Sequence, residues 1–133
     1  MTYRVLLIDD NQDFRDAVTT RLTAEGFEVR AARSGREGLA TIAAQPCDLV
    51  LLDMLMPEQD GIATYQQLRA NPATRQIPVI LLTAVAVEGY WDVLPYETDG
   101  PAFLLGKPYD YHLLVARIHQ VLQRDNELGG RKA

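Results

Sequence analysis

A single cysteine, Cys47, stands among the 133 residues. No disulfide can therefore form within the chain, and the fold has to rest on its apolar core. Cys47 lies just before an apolar run, with no histidine or basic residue close to it in sequence. It is expected to be a small buried or rim residue rather than a nucleophile. Long apolar stretches are also missing; nothing approaches the roughly 20 residues that a membrane-crossing helix needs. The start, Met1-Thr2-Tyr3-Arg4, runs into a short apolar stretch ending in two aspartates, unlike the longer apolar region and small-residue cleavage site of a signal peptide. The expectation is a cytoplasmic protein without membrane insertion. No long basic run occurs and the net charge is −5, which argues against direct nucleic-acid contact by this domain. Histidine is scarce too. His112 and His119 lie seven apart on a helical pattern and so share a face. A helical zinc pair needs a spacing of about three or four together with further ligands, so both are expected to be surface or interface residues.

What the chain does have is an apolar content of 47%, in short, evenly spaced runs. They are Val5-Leu6-Leu7-Ile8, Leu49-Val50-Leu51-Leu52, Val79-Ile80-Leu81-Leu82 and Ala102-Phe103-Leu104-Leu105, with an alternating run over 27–31 that suits an edge strand. Continuous apolar runs of this length suit strands covered on both faces, as in a parallel sheet. Helical patterns lie between them. Phe14, Val18 and Leu22 recur every fourth residue, with Asn11 as a cap and Gly26 as a stop signal. Ser34-Gly35-Arg36-Glu37 reads as a capping box before Leu39, Ile42 and Ala43. Ile62, Tyr65 and Leu68 mark a helix that ends before Pro72, and Leu114, Ile118, Val121 and Leu122 mark the last. Strands alternating with helices imply βαβ units and an α/β fold. One domain over residues 1–124 is expected, with 125–133 as a flexible tail or the start of a linker. The segment 85–101, with Gly89, Pro95, Gly100 and Pro101, has room only for a short helix. Its Tyr90, Trp91 and Tyr96 are expected to cover the edge of the core.

The residues with chemistry fall at the carboxyl ends of these strands. Asp9 and Asp10 follow the first run, Asp53 the third and Thr83 the fourth, and Lys107 follows the fifth. Ligands of an open parallel sheet bind just beyond those ends, so the five converge on one rim. Taken singly, each has a plainer explanation: a helix cap for the Asp pair, ordinary strand chemistry for Thr83, a solvated charge for Lys107. Their joint placement is the specific signal. Three neighbouring carboxylates repel one another, and a hard divalent cation resolves the repulsion. Mg²⁺ takes oxygen ligands, one or two carboxylates among them, plus phosphate oxygens. A carboxylate nucleophile, a metal, an ammonium and a hydroxyl together form a kit for phosphoryl transfer, with Asp53 attacking.

At this point the sequence closely resembles the receiver domain of bacterial two-component response regulators, of the chemotaxis-receiver kind. The resemblance rests on Leu7-Ile8-Asp9-Asp10-Asn11, on Asp53 through Gly61, on Pro78 through Ala84, and on Gly106-Lys107-Pro108, and it covers about residues 3–124. It implies a flavodoxin-like, doubly wound, five-stranded parallel sheet of order 2-1-3-4-5 with helices on both faces. It implies Asp53 as phosphoacceptor, Asp10 as a direct Mg²⁺ ligand, Asp9 acting largely through water, and the main-chain carbonyl of Leu55 as a further ligand. Thr83 and Lys107 would contact the phosphoryl group, with a cis peptide at Pro108 aiming the lysine. The implied partners are a sensor histidine kinase or phosphotransfer protein upstream and an unidentified protein downstream. Such a domain is not a conventional enzyme, since it catalyses only its own phosphorylation and dephosphorylation.

The sequence also departs from the family. The aromatic that reports phosphorylation, three residues before the lysine, is replaced by Leu104, with Phe103 one residue earlier. This touches the output switch rather than the phosphorylation site, and ordering of 85–101 is the expected response to phosphorylation. Two other function classes compete. A small-molecule aspartyl phosphatase would need an acid/base aspartate where Leu55 stands, and a substrate cap. A phosphorylation-independent interaction domain would have no use for the intact Asp9, Asp10, Asp53, Thr83 and Lys107.

Overall fold

The structure is a computed structural model, and it describes residues 2–53, 61–83, 102–106 and 111–127. Strands and helices alternate through the first four strands: β1 (Arg4–Ile8), α1 (Gln12–Ala24), β2 (Glu28–Ala32), α2 (Gly35–Ala44), β3 (Leu49–Asp53), α3 (Gly61–Ala70) and β4 (Val79–Thr83). β5 (Ala102–Gly106) and α4 (Tyr111–Glu127) follow. The sheet is parallel with the order β2-β1-β3-β4-β5, as the resemblance implies. The alternating run forms the edge strand β2, shifted by one residue to Glu28–Ala32, while α4 continues to Glu127, into the segment expected as a tail. Segment 85–101, with its three aromatics and the expected short helix, lies outside the described residues.

The apolar runs divide between two cores by strand alternation. Leu6 and Ile8 on β1, Val50 and Leu52 on β3, and Val79 and Leu81 on β4 pack against α2 and α3, with Ile42, Tyr65 and Leu68. Val5, Leu7, Leu49, Leu51, Ile80 and Leu82 pack on the other face against α1 and α4, with Val18, Leu22, Leu114 and Ile118. The three central runs are thus buried on both sides, which is why they read as unbroken apolar stretches. Each Leu or Ile fully buried this way contributes roughly 1.5–3 kcal/mol.

Local signals set the helix ends. The Asn11 side chain accepts the Phe14 N–H at 3.0 Å, capping α1. At the other end Gly26, at φ 97°, donates to Thr23 O at 3.0 Å while Phe27 N donates to Leu22 O at 3.1 Å. This paired termination needs the left-handed conformation that glycine tolerates best, and it turns Phe27 into the core. Ser34 Oγ accepts the Glu37 N–H at 3.1 Å, one half of a capping box, and the Glu37 carboxylate lies 3.4 Å from Arg33 Nε. The face α2 buries differs from the one expected: Ile42 is buried with Gly35 and Gly38, Leu39 is partly buried and Ala43 is exposed. Gly38 lets α2 approach Ile8 of β1 too closely for a larger side chain at that position.

Arg69, on the last turn of α3, is buried. Its Nη1 donates to the carbonyls of Arg75 at 2.9 Å and Ile77 at 2.8 Å, and its Nε donates to Tyr65 Oη at 3.2 Å. Its guanidinium carbon lies 4.9 Å from the Tyr65 ring centre. The guanidinium thus satisfies the turn that leads into β4, where backbone carbonyls would otherwise be costly to bury.

Gly38 is the tightest of these contacts to test. A Cβ built there would fall 2.7 Å from Ile8 Cγ1, and Ile8 is fully buried. Alanine in place of a helical glycine gains about 1 kcal/mol of propensity, while overpacking a closed core costs about 1–3 kcal/mol. Gly38→Ala is therefore expected to lower stability by about 1 kcal/mol, read as a lower urea midpoint at unchanged slope. A midpoint equal to or above wild type would mean that Ile8 can move aside freely.

Candidate functional site

β1 lies between β2 and β3, so the chain's winding direction reverses at the β1–β3 pair. The crevice beyond the carboxyl ends of these two strands is the place where open α/β sheets hold ligands. The register sets Ile8 beside Leu52, so the residues that follow, Asp9 and Asp53, come side by side. Carboxylate oxygens of Asp9, Asp10 and Asp53 all lie within 4.8 Å of one another. Asp9 and Asp53 are buried and Asp10 is exposed.

Local bonds hold this turn. Asp9 N donates to Ala32 O at 3.0 Å, joining the strand end to β2. Asn11 N donates to Asp9 Oδ1 at 2.9 Å, an Asx turn that ties the carboxylate to its own backbone. Asn11 then caps α1, and its carbonyl accepts the Arg15 N–H at 3.0 Å. The Arg15 Nη1 donates to the main-chain carbonyl of Asp9 at 2.8 Å. Arg15 was not among the expected site residues. Its only sequence signal is its position four residues after the Asn11 cap, a spacing that turns a helical side chain back over the cap.

Asp9, Asp10 and Asp53 are thus brought together. Thr83 closes β4, with its backbone paired to Gly106 of β5, while Phe103 and Leu104 take register positions beside Ile80 and Leu81. Leu55, Lys107 and Pro108 lie outside the described residues. Cys47 is buried, as expected. His112 and His119 are exposed: the His112 Nδ1 is 3.2 Å from Arg21 Nη2, and His119 packs its ring 5.3 Å from that of Phe27. His112 thus meets α1, and His119 meets the turn that follows it.

The donor set fits a hard cation. Octahedral ligands at about 2.1 Å from Mg²⁺ lie about 3 Å apart when adjacent and about 4 Å when opposite. Carboxylate oxygens within 4.8 Å of one another are close to that spacing.

A doubly wound parallel α/β domain with a carboxylate trio at its switch point is the class that fold and site define. The chain belongs to the response regulator receiver domain family, whose family model matches residues 5–119. It is 34% identical over 140 residues to the response regulator PleD of Caulobacter vibrioides, covering 99% of this chain and 30% of that protein. It is 38% identical over 123 residues to the transcriptional regulatory protein CpxR of Klebsiella pneumoniae, covering 92% of this chain and 50% of that one. The chain therefore spans half or less of the length of these curated relatives. Among solved structures, the chemotaxis protein CheY4 of Vibrio cholerae superposes with a TM-score of 0.83 at 26% identity, covering 91% of this chain and 99% of that one. Receiver domains are signalling modules of two-component systems that interact with histidine kinases or phosphotransfer proteins, and they bind Mg²⁺ at an acidic pocket. No described helix is long and apolar enough to cross a membrane.

Like charges at these separations, two of the three buried, oppose the fold by an amount on the order of a few kcal/mol. Asp53→Asn is accordingly expected to raise the melting temperature of the protein in chelator, with a smaller Mg²⁺-induced rise than wild type shows. A lower melting temperature in chelator would mean that Asp53 is held by attraction rather than strained by repulsion.

Proposed function

We propose that this domain, about residues 1–124, accepts a phosphoryl group on Asp53 from a sensor histidine kinase or phosphotransfer protein and signals its phosphorylation to a downstream protein. The observation that carries this reading is the cluster of Asp9, Asp10 and Asp53 at the sheet's switch point, with oxygens within 4.8 Å. Asp53 sits at the end of a strand whose other four residues are fully buried. Its backbone therefore has little freedom, and a fixed nucleophile meets its target in a reactive geometry at low entropic cost.

In the transfer step an Asp53 carboxylate oxygen forms a bond to phosphorus as the P–N bond of a phosphohistidine breaks. The imidazole leaves with the bonding electron pair and takes up one proton from solvent. The product is an acyl phosphate on Asp53. Bound Mg²⁺ would supply charge neutralisation for the phosphoryl oxygens. Asp10, exposed at the rim, is suited to ligate it directly. Asp9, buried and already accepting the Asn11 N–H, is suited to act through water. The Leu55 carbonyl would complete the protein ligands. Thr83 would hydrogen-bond the phosphoryl group, Lys107 would pair with it, and Pro108 would help aim the lysine. Leu104 stands where the family's switch aromatic acts, with Phe103 one residue earlier in the switch region. A cytoplasmic setting matches a cytosolic kinase partner.

Incubation with a small acyl-phosphate donor and Mg²⁺ is expected to add one phosphate by intact mass, and Asp53→Asn is expected to abolish the gain. No gain in wild type, or an equal gain in the variant, would overturn the assignment. Hydrolysis returns the carboxylate when water attacks phosphorus. Leu55 and Val85 stand two residues after Asp53 and Thr83, where polar side chains would orient that water. Apolar ones cannot. The acyl phosphate is thus expected to be long-lived, with Leu55→Asn or Val85→Glu speeding phosphate loss by about tenfold, a fraction of what a fully placed acid–base group contributes. Slower loss in either variant would contradict this.

A further inference from the structure

We propose that Arg15 is a positioning residue for the metal-binding end of this site: by holding the Asp9 carbonyl it sets the direction of the Asp10 carboxylate. The inference rests on the Mg²⁺ reading above. Arg15 is half-buried in the first turns of α1. Among the described residues, its guanidinium forms no ion pair with a carboxylate, although three carboxylates cluster at the adjoining strand end. Its Nη1 instead donates to a backbone oxygen, Asp9 O, at 2.8 Å.

That choice of partner matters because of what else holds the turn. Asp9 is pinned at its N–H by Ala32 O at 3.0 Å and at its side chain by Asn11 N at 2.9 Å. Asn11 is pinned to α1 through Phe14 N and Arg15 N, each at 3.0 Å. The Arg15 bond to the Asp9 oxygen adds a direct restraint on the peptide plane between Asp9 and Asp10. Asp10 is exposed, so packing does not aim its side chain. The orientation of its backbone does, and Arg15 sets that orientation through one peptide plane. Groups that orient metal ligands in this indirect way commonly change metal affinity about 10- to 100-fold when removed.

The two effects of a cation at this position have opposite signs. As a positive charge near the cluster, Arg15 repels a second cation, and removing it would tighten Mg²⁺ binding. As a fastener of the Asp9–Asp10 peptide, it preorganises a ligand, and removing it weakens binding. Sequence points the same way as geometry: the arginine stands four residues after the cap, where a helical side chain folds back over the loop.

The test is calorimetric titration of the folded protein with Mg²⁺, well below its melting temperature, for wild type, Arg15→Ala, Arg15→Gln and Arg15→Lys. Gln is neutral and too short to span to the carbonyl, and it suits a helix, which keeps the comparison available if Arg15→Ala folds poorly. Arg15→Ala and Arg15→Gln are expected to bind Mg²⁺ about tenfold more weakly. Arg15→Lys, with a compact ammonium on a flexible stem in place of the planar fork, is expected to fall between them and wild type. Wild-type binding with unchanged or tighter binding in both neutral variants would overturn the role of Arg15 while leaving the metal reading intact. No binding by wild type would overturn both. A loss of melting temperature with no change in affinity would mark Arg15 as structural and overturn the inference.

Discussion

Three carboxylates must be kept within 4.8 Å of one another against their mutual repulsion, and much of the architecture can be understood as what holds them there. Two of them end the central strands β1 and β3, whose apolar residues are covered on both faces. Those strands cannot splay apart to relieve the repulsion without opening both cores at once, and the burial of several Leu and Ile side chains outweighs a repulsion on the order of a few kcal/mol. The site is thus a local conflict imposed by a consistent surrounding structure, the usual arrangement at functional sites.

The same need for rigidity accounts for features distant from the crevice. Gly38 lets α2 approach Ile8, the last residue of β1, so the strand that presents Asp9 is clamped directly against a helix. Arg69 satisfies the carbonyls of the turn that feeds β4, and β4 borders β3 along a continuous register from Val50–Val79 to Asp53–Leu82. On the opposite side, the glycine-terminated end of α1 delivers Phe27 into the core just before β2 begins. Gly38 thus fixes the carboxyl end of β1, where the carboxylates lie, while Arg69 and Phe27 fix the amino ends of β4 and β2 at the opposite edge of the sheet.

Much of the fold was legible in the sequence because a doubly covered parallel sheet writes itself as short, unbroken apolar runs separated by amphipathic ones. The alternating run over 27–31 announced an edge strand, and β2 is one. Asn11, Gly26 and Ser34 marked helix ends that the hydrogen bonds bear out. The buried face of α2 was misjudged, with Ala43 exposed and Gly38 buried. Glycine carries no apolar side chain to register in a hydrophobic pattern, yet a close helix–strand approach makes it the buried residue.

The sequence by itself determined which residues were candidates for the chemistry: carboxylates, a threonine and a lysine each follow an apolar run, positions that a parallel sheet is expected to send to one rim. Only the tertiary structure decided how the carboxylates differ from one another. Asp9 is buried with its carboxylate already accepting a backbone N–H, Asp10 is exposed, and Arg15 grips the carbonyl between them. Adjacent aspartates look equivalent in a sequence. Their separate environments arise from strand pairing, from the turn after β1 and from a side chain folding back along α1, contacts between groups that no local pattern of residues records.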